Sequence, residues 1–314
     1  MPQANPALIT TGELLLYPTG LDWSTLAERI LLADQGPTSV AQAIEQAKII
    51  KLASEWVATY CEQPRGVQST QQTETIRVAR TGYFGARAWV DREGWLNFKG
   101  ANLPITSVDQ LQYAIPPGPL AYSDITESAS FHIEGTYPQM FRVTEESQDW
   151  TWVKTGAIYT MWEYTAGYAN ARLTAAVTAG ALKQLKVDTT QGWATSNAQN
   201  SEMLQYQNTL SIYDGVNTEL NVPIVSVDDA NHVTVANLAF AHDPTMDPGL
   251  TMGIGVSSLP ESIKTATILA CIHFAKARGA QALVMKTVGN IAAKSSIEIL
   301  SMAEQALEPW VLKM

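Results

Sequence analysis

Cysteine, histidine and charge are all scarce in this chain of 314 residues. It contains two cysteines and four histidines, and charged residues make up 16% of it, against about 25% in an average soluble domain. Two cysteines cannot build a disulfide framework, and Cys61 and Cys271 both lie among apolar neighbours of predicted helices. We therefore expect both thiols to be reduced and buried, in a protein made in a reducing cytosol.

Long hydrophobic runs and an excess of basic residues are lacking too. No stretch reaches the roughly 18 apolar residues of a membrane span, and residues 1–20 lack the pattern of a secretory signal, so we expect a soluble protein. The chain has 20 Lys and Arg against 30 Asp and Glu, a net charge of −10. This balance excludes a basic protein that binds nucleic acid by counterion release, so any DNA contact must be local or repulsive.

Motifs of catalysis and nucleotide binding are absent from the sequence. There is no G-x-S-x-G and no GxxxxGK[ST], and Gly253-Ile254-Gly255 lacks the third glycine of a dinucleotide loop. The acidic pairs Glu145-Glu146 and Asp228-Asp229 fall in turn-like contexts, where solvated carboxylates are usual. We therefore expect neither an enzyme nor a bound cofactor.

The histidines are spaced unlike those of known metal sites. None forms a helical zinc pair or lies beside a cysteine pair. His232 and His242 could meet across a hairpin as metal ligands, but surface or turn positions are the better interpretation, and His273 reads as a structural histidine on a helix. We predict no metal site.

Helical patterns lie at both ends of the chain and strand patterns lie between them. Alternating and β-branched runs fill residues 67–170, and short strands separated by turn signals continue through residues 171–259. Only residues 260–314 are mildly basic. The sequence predicts an α+β fold: a helical core from 1–66 plus 260–314 forming one bundle, a β-rich region 67–170, and an inserted small β-barrel or sandwich at 171–259.

Two predicted helices need each other as packing partners. Residues 39–61 carry apolar side chains at helical spacing, including Ile44, Ala47 and Ile50, with Gln46 placed on the other face. Residues 260–278 present a narrow face of small side chains after Pro260. Because neither helix can bury its face locally, we expect the two to pack together.

Four arginines alternate with aromatic residues in the β-rich region: Arg77, Arg80, Arg87 and Arg92. Such a pattern is found on strands that bind nucleic acid, where guanidinium groups meet phosphates and rings stack on bases. Arginines on the outer face of a sheet, close to acidic residues, are the commoner case. We keep DNA contacts and salt bridges between subunits as alternatives for these residues.

Four segments together resemble the head-to-tail connector, or adaptor, proteins of tailed bacteriophages. They are a helix ending in residues 53–60 (ASEWVATY) before Pro64-Arg65-Gly66, then 103–108 (LPITSV), 162–168 (WEYTAGY) and 259–266 (LPESIKTA). In that family a strand ending in aGY leads almost directly to the P..lk.A helix. Here residues 170–258 intervene, and they resemble small β modules of phage structural proteins.

The resemblance implies a virion protein without catalytic residues. Its expected place is the neck, as a dodecameric ring that binds the portal protein above and a tail-proximal neck or tail-terminator protein below. DNA would pass through an acidic bore without sequence recognition, and the insert would lie on the outside of the ring. The chain would be made in the cytoplasm of the bacterial host.

The C-terminal segment after Glu308-Pro309 is the candidate for docking to the portal, as tails do in this family. It exposes Trp310, Val311, Leu312 and Met314 beside a single charge. The alternative is that it folds back on its own helices.

Two other functions stay open. A tail or baseplate module could use the insert to recognise a glycan or a host protein, given nine tryptophans and eleven tyrosines. A hydrolase with a site assembled from several segments has no motif in its favour.

Overall fold

Helices lie towards both ends of the chain in the computed structural model, and strands dominate between them, so the fold is mixed α+β. The structure describes residues 7–18, 21, 23, 39–63, 66–78, 86–91, 95–114, 122–126, 129–134, 140–145, 158–193, 208–214, 217–244, 253–277 and 296–311. The helices are α1 (Thr11–Leu16), α2 (Ser39–Tyr60), α3 (Glu261–Ala277) and α4 (Ser296–Leu307), and a 3-10 turn Glu308–Trp310 follows. The strands are β1 (Thr70–Val78), β2 (Ala88–Val90), β3 (Leu96–Phe98), β4 (Ile105–Ala114), β5 (Ser123–Asp124), β6 (Ala129–Glu134), β7 (Met140–Glu145), β8 (Ile158–Ala166), β9 (Asn170–Arg172), β10 (Gly180–Lys186), β11 (Thr209–Tyr213), β12 (Thr218–Val227), β13 (His232–Leu238) and β14 (Gly255–Ser257).

Helix α3 packs against α2 and α4, so the predicted pairing of the two long helices is confirmed. The Cys271 Sγ lies 4.0 Å from the Ile49 carbonyl oxygen, and Ala266 and Ala270 of α3 are fully buried. Small side chains here allow the helix backbones to approach closely. No described helix has both the length and the apolar character to cross a bilayer.

The buried face of α2 agrees with the predicted one at Ile50, Ala53 and Val57 and differs from it nearer the start of the helix. Ile44 is 50% exposed and Ala47 is exposed, whereas Gln46 and Ile49 are buried. The apolar pattern of α2 is broad, and the position of α3 selects the face that contains Ile49, Ala53 and Val57. Gln46 can be buried there because its side-chain amide donates to the Trp23 carbonyl at 3.4 Å.

The described residues of the β-rich region form two four-stranded sheets. Their strand orders are β1-β8-β4-β5 and β2-β3-β7-β6, with every pairing antiparallel. β8 alternates strictly between buried and half-buried residues, as a strand does when one face covers a core. Trp162 stacks on Phe98 with ring centroids 4.3 Å apart, which joins the two sheets.

The third sheet has six antiparallel strands in the order β10-β13-β12-β11-β14-β9. Residues 220–222 and 224–227, which the sequence presents as two runs, belong to the single strand β12, with Pro223 inside it. The first and last strands of this segment pair directly, with Asn170 opposite Ser257. We call residues 171–258 the insert, because both its ends leave the rest of the chain at this one pair of strands.

Among the described residues, the buried apolar side chains fall into three clusters. One joins residues 8–67 to Tyr168 and residues 259–307, one spans residues 78–166, and one spans residues 169–256. The predicted domain boundaries, 1–66 plus 260–314, 67–170 and 171–259, remain predictions that the deletion described below would test.

Candidate functional site

Two adjoining clefts lie where α1, the insert and α3 meet. They have volumes of about 500 Å³ and about 250 Å³, and Tyr213 and Glu261 line both. The larger cleft is lined mostly by hydroxyl and apolar groups of β11, β12 and the segment before α3. The smaller one contains the charged groups, Glu13, Glu261 and Lys264. We call the two together the junction cleft.

Lys264 is the central charge of the junction cleft. Its side chain is 4% exposed, and its Nζ donates to Glu13, whose side chain is 7% exposed. The same ammonium lies 3.5 Å from the centroid of the Tyr213 ring, a cation–π contact. A buried lysine needs such partners, because an unpaired ammonium out of water is costly.

The second carboxylate oxygen of Glu13, Oε2, caps the start of α1. Glu13 Oε2 accepts from the backbone N–H of Thr10 at 2.6 Å, and Thr10 Oγ1 accepts from the backbone N–H of Glu13 at 3.1 Å. This reciprocal pair is a capping box, which fixes the carboxylate in place. Gly255 of β14 lets the carboxylate come near, because a Cβ there would lie 3.0 Å from Oε2.

The electrostatics of the cleft keep Tyr213 in its phenol form. Burial raises the pKa of Tyr213 most, and the neighbouring Glu261 raises it further. The described residues that line the two clefts include no histidine or cysteine, so none of the serines there has an imidazole base. The contacts of the junction cleft thus hold α1, the insert and α3 together. The described residues that line it include no catalytic constellation.

A second buried charged group lies inside the insert, around His242. Its Nδ1 is 2.5 Å from Asp214 Oδ2, its Nε2 is 3.2 Å from Glu219 Oε1, and its side chain is fully buried. Glu219 also accepts from the backbone N–H groups of Ala239 and Phe240. The two carboxylates lie on opposite sides of the ring, so they cannot bind one metal ion together with it.

The surface or turn position predicted for His242 is therefore wrong, because His242 is buried. His232 is half-buried, and its Nδ1 lies 2.9 Å from Asp229, so the two histidines contact different carboxylates. Within the part of the chain that the structure describes, no three ligand-type side chains are grouped to hold a metal ion. Nothing in the spacing of Asp214, Glu219 and His242 marks them in the sequence, since the strand pairing brings them together.

The arginines of the β-rich region have different surroundings. Arg87 forms a salt bridge with Glu74, and Tyr164 donates its hydroxyl to the same carboxylate, so Arg87 is part of a network within its own chain. Arg77 is exposed on β1. Arg80 and Arg92 lie outside the described residues.

Trp310 of the C-terminal segment contacts its own chain. Its indole Nε1 donates to Ser262 Oγ at 2.7 Å, and its ring meets Tyr168 edge-on, with centroids 6.1 Å apart. Val311 is half-buried. Leu312 and Met314 lie outside the described residues, so docking by this segment stays a prediction.

The thiols of Cys61 and Cys271 are both free and buried, which confirms the prediction. Burial raises the pKa of Cys61 to about 12 and that of Cys271 further, so neither is a reactive thiolate at neutral pH.

Comparison with known proteins gives no match. No family model fits the chain, and neither the curated proteins nor the solved structures contain a significantly similar one.

Proposed function

We propose that this protein is the head-to-tail adaptor of a tailed bacteriophage. It would form a dodecameric ring in the neck of the virion, bind the portal protein below the DNA-filled capsid, and carry a tail-proximal neck or tail-terminator protein. DNA would pass through the ring without sequence recognition. In this proposal α2, α3 and α4 form one helical bundle as the core of each subunit.

One observation carries the proposal: the insert leaves and re-enters the chain between the aGY segment and the P..lk.A segment. Strand β9 follows residues 162–168 almost directly, and β14 comes just before residues 259–266. Asn170 of β9 pairs with Ser257 of β14, so the two ends of the insert lie side by side. An adaptor subunit with a domain added at that junction would have this arrangement.

Mass photometry of the full chain, alone and with portal rings of the same virus, tests the proposal. We expect a ring and a ring–portal complex, and we expect antibodies against the chain to label the neck of virions in electron micrographs. A chain that stays monomeric with portal, or that labels another part of the virion, contradicts the proposal.

A tail or baseplate module remains the second candidate. Four of the large apolar side chains that are exposed belong to the insert: Leu182, Leu220, Val225 and Phe240. Exposed apolar side chains mark a binding surface where they form one contiguous patch. Saturable binding to host cells or to their surface glycans, in the absence of portal binding, would favour this function.

A further inference from the structure

The outer face of the insert sheet carries an apolar patch. Leu182 of β10 lies opposite Ala236 of β13. The residues on either side of it set this register, since Ala181 pairs with Asn237 and Lys183 pairs with Val235. Ile224 pairs with Val235, so Pro223 lies beside Ala236 on the next strand. The other faces of these strands are buried in the insert core. We call the outward residues the outer patch: Leu182, Ala236, Pro223 and Val225.

Leu182 contributes little to the stability of the fold in which it lies. Its side chain is 67% exposed, and its backbone has φ +50°, a conformation that costs energy for a residue with a side chain. Asparagine or glycine would adopt it with less strain. A large apolar side chain held out on strained backbone is better explained by contact with something outside the chain.

A fixed negative charge lies next to the outer patch. Asp228 accepts hydrogen bonds from Gln184, Ser226 and Thr234 at 2.8, 2.6 and 2.8 Å, so its carboxylate lies over the same outward face. These bonds lower the pKa of Asp228, which keeps it ionised. All three donors are uncharged, so they leave its negative charge able to attract a cation.

The chain has a complementary surface on the sheet β1-β8-β4-β5. Arg77 lies directly opposite Tyr159, and Met161 lies two residues further along β8. The alternate residues of β8, Ile158, Trp162 and Tyr164, are buried, so Tyr159 and Met161 face outward with Arg77. Among the described residues Arg77 has no salt-bridge partner. This surface thus offers an aromatic ring and a thioether side chain, both partly exposed, beside one cation.

We propose that the outer patch of one copy docks on the Arg77–Tyr159–Met161 surface of a second copy, with Asp228 paired to Arg77. The two surfaces differ, so the contact is head-to-tail, and repeating such a contact closes a ring when the rotation permits it. The inference rests on the proposed ring and names the surfaces that form it. It also assigns Arg77 a contact between subunits rather than with DNA.

Leu182→Asn gives the first test, because it removes the apolar side chain and suits the backbone conformation. Assembly of the full chain is measured by mass photometry and folding by thermal melting. We expect a melting temperature equal to or above that of the wild type, with ring assembly shifted to at least about tenfold higher concentration. Rings that form normally with this variant overturn the inference and leave the proposed function intact.

Charge exchange gives the second test. Arg77→Glu and Asp228→Lys should each weaken assembly, and the double variant should restore it, because the pair is re-formed with reversed signs. Arg172→Glu, at another exposed arginine, is the matched control and should assemble normally. A double variant no better than the single ones overturns the inference. A wild-type chain that never forms a ring contradicts the proposed function as well.

Discussion

The indole N–H of Trp310 donates to the hydroxyl of Ser262 at 2.7 Å, which attaches the 3-10 turn after α4 to the first turn of α3. The tryptophan expected to leave its subunit is thus a half-buried part of its own core, where it also contacts Tyr168. Docking of the C-terminal segment to a portal would have to break these contacts or use only the residues beyond them.

Truncation after Leu307 separates the two roles of the C-terminal segment. If Trp310 serves only its own core, the truncated chain should melt at a lower temperature and still join portal rings once folded. If the segment is the anchor, the truncated chain should fold and fail to join them, and phage heads should leak DNA. Trp310→Phe keeps an aromatic side chain but loses the hydrogen bond to Ser262. It should lower the free energy of unfolding by about 1 kcal/mol in chemical denaturation.

The ion pair between Glu13 and Lys264 predicts an asymmetry between single and double substitutions. Glu13→Gln should leave the buried ammonium without its counterion and lower the free energy of unfolding by about 3–5 kcal/mol. Glu13→Gln with Lys264→Met should recover much of that loss, because no buried charge remains. Urea denaturation of the four chains measures the cycle, and strictly additive losses would mean that the two side chains do not act as a pair.

The insert should be removable. Because Asn170 and Ser257 are paired, the two ends of the insert lie close together, and a short Gly-Ser linker in place of residues 171–258 should leave a chain that keeps its helical circular dichroism and melts cooperatively. The buried clusters support this, since that of the insert is separate from that of the helices. Loss of helical signal or of cooperativity in the deleted chain would show that the boundary is wrong.

Replacement of His242 should destabilise the insert locally. His242→Phe removes the ring nitrogens that contact Asp214 Oδ2 and Glu219 Oε1, so two buried carboxylates each lose a hydrogen-bond partner, a loss of about 1–3 kcal/mol for each. Hydrogen exchange followed by mass spectrometry should show faster exchange in β11–β13 and unchanged exchange in α2 and α3. His232→Phe, at a half-buried histidine, is the matched control and should change little.

The thiols should resist alkylation until the helices separate. The pKa of Cys61 is raised to about 12 by burial, so the neutral thiol is favoured in the folded chain below that pH. The stability that the protonated Cys61 thiol contributes is fully present below the ordinary thiol pKa. It is lost as the pH rises through the raised pKa that the thiol has in the folded chain. Iodoacetamide at pH 8 should therefore leave both cysteines unmodified in native protein and label both in urea. Labelling of the native protein would contradict their burial.

The pattern of side chains along the chain was enough to predict the order of helical and strand segments, because period 3.6 and period 2 are local properties. It predicted the buried face of α2 correctly at Ile50, Ala53 and Val57. It did not distinguish Ile44 from Ile49, since both are apolar and only the position of α3 decides between them. Nor did it find Glu13 with Lys264, which are 251 residues apart. One local signal for Lys264 exists: residues 266–272 (ATILACI) are almost all apolar, which predicts a helix buried on most sides, where a lysine in the first turns has little access to water.

The helical core also sets the order in which the chain can fold during synthesis. The partner of α2 is α3, which ends at Ala277, more than 200 residues after α2 ends at Tyr60. At about 5–20 residues per second, the ribosome needs on the order of ten to forty seconds to cover that distance. During this time the apolar face around Ile49 and Val57 has no α3 to cover it, while the β-rich region has all its strands once β8 ends at Ala166 and the insert has all of its strands once β14 ends at Ser257. We therefore expect the middle of the molecule to fold first and the two ends to close last.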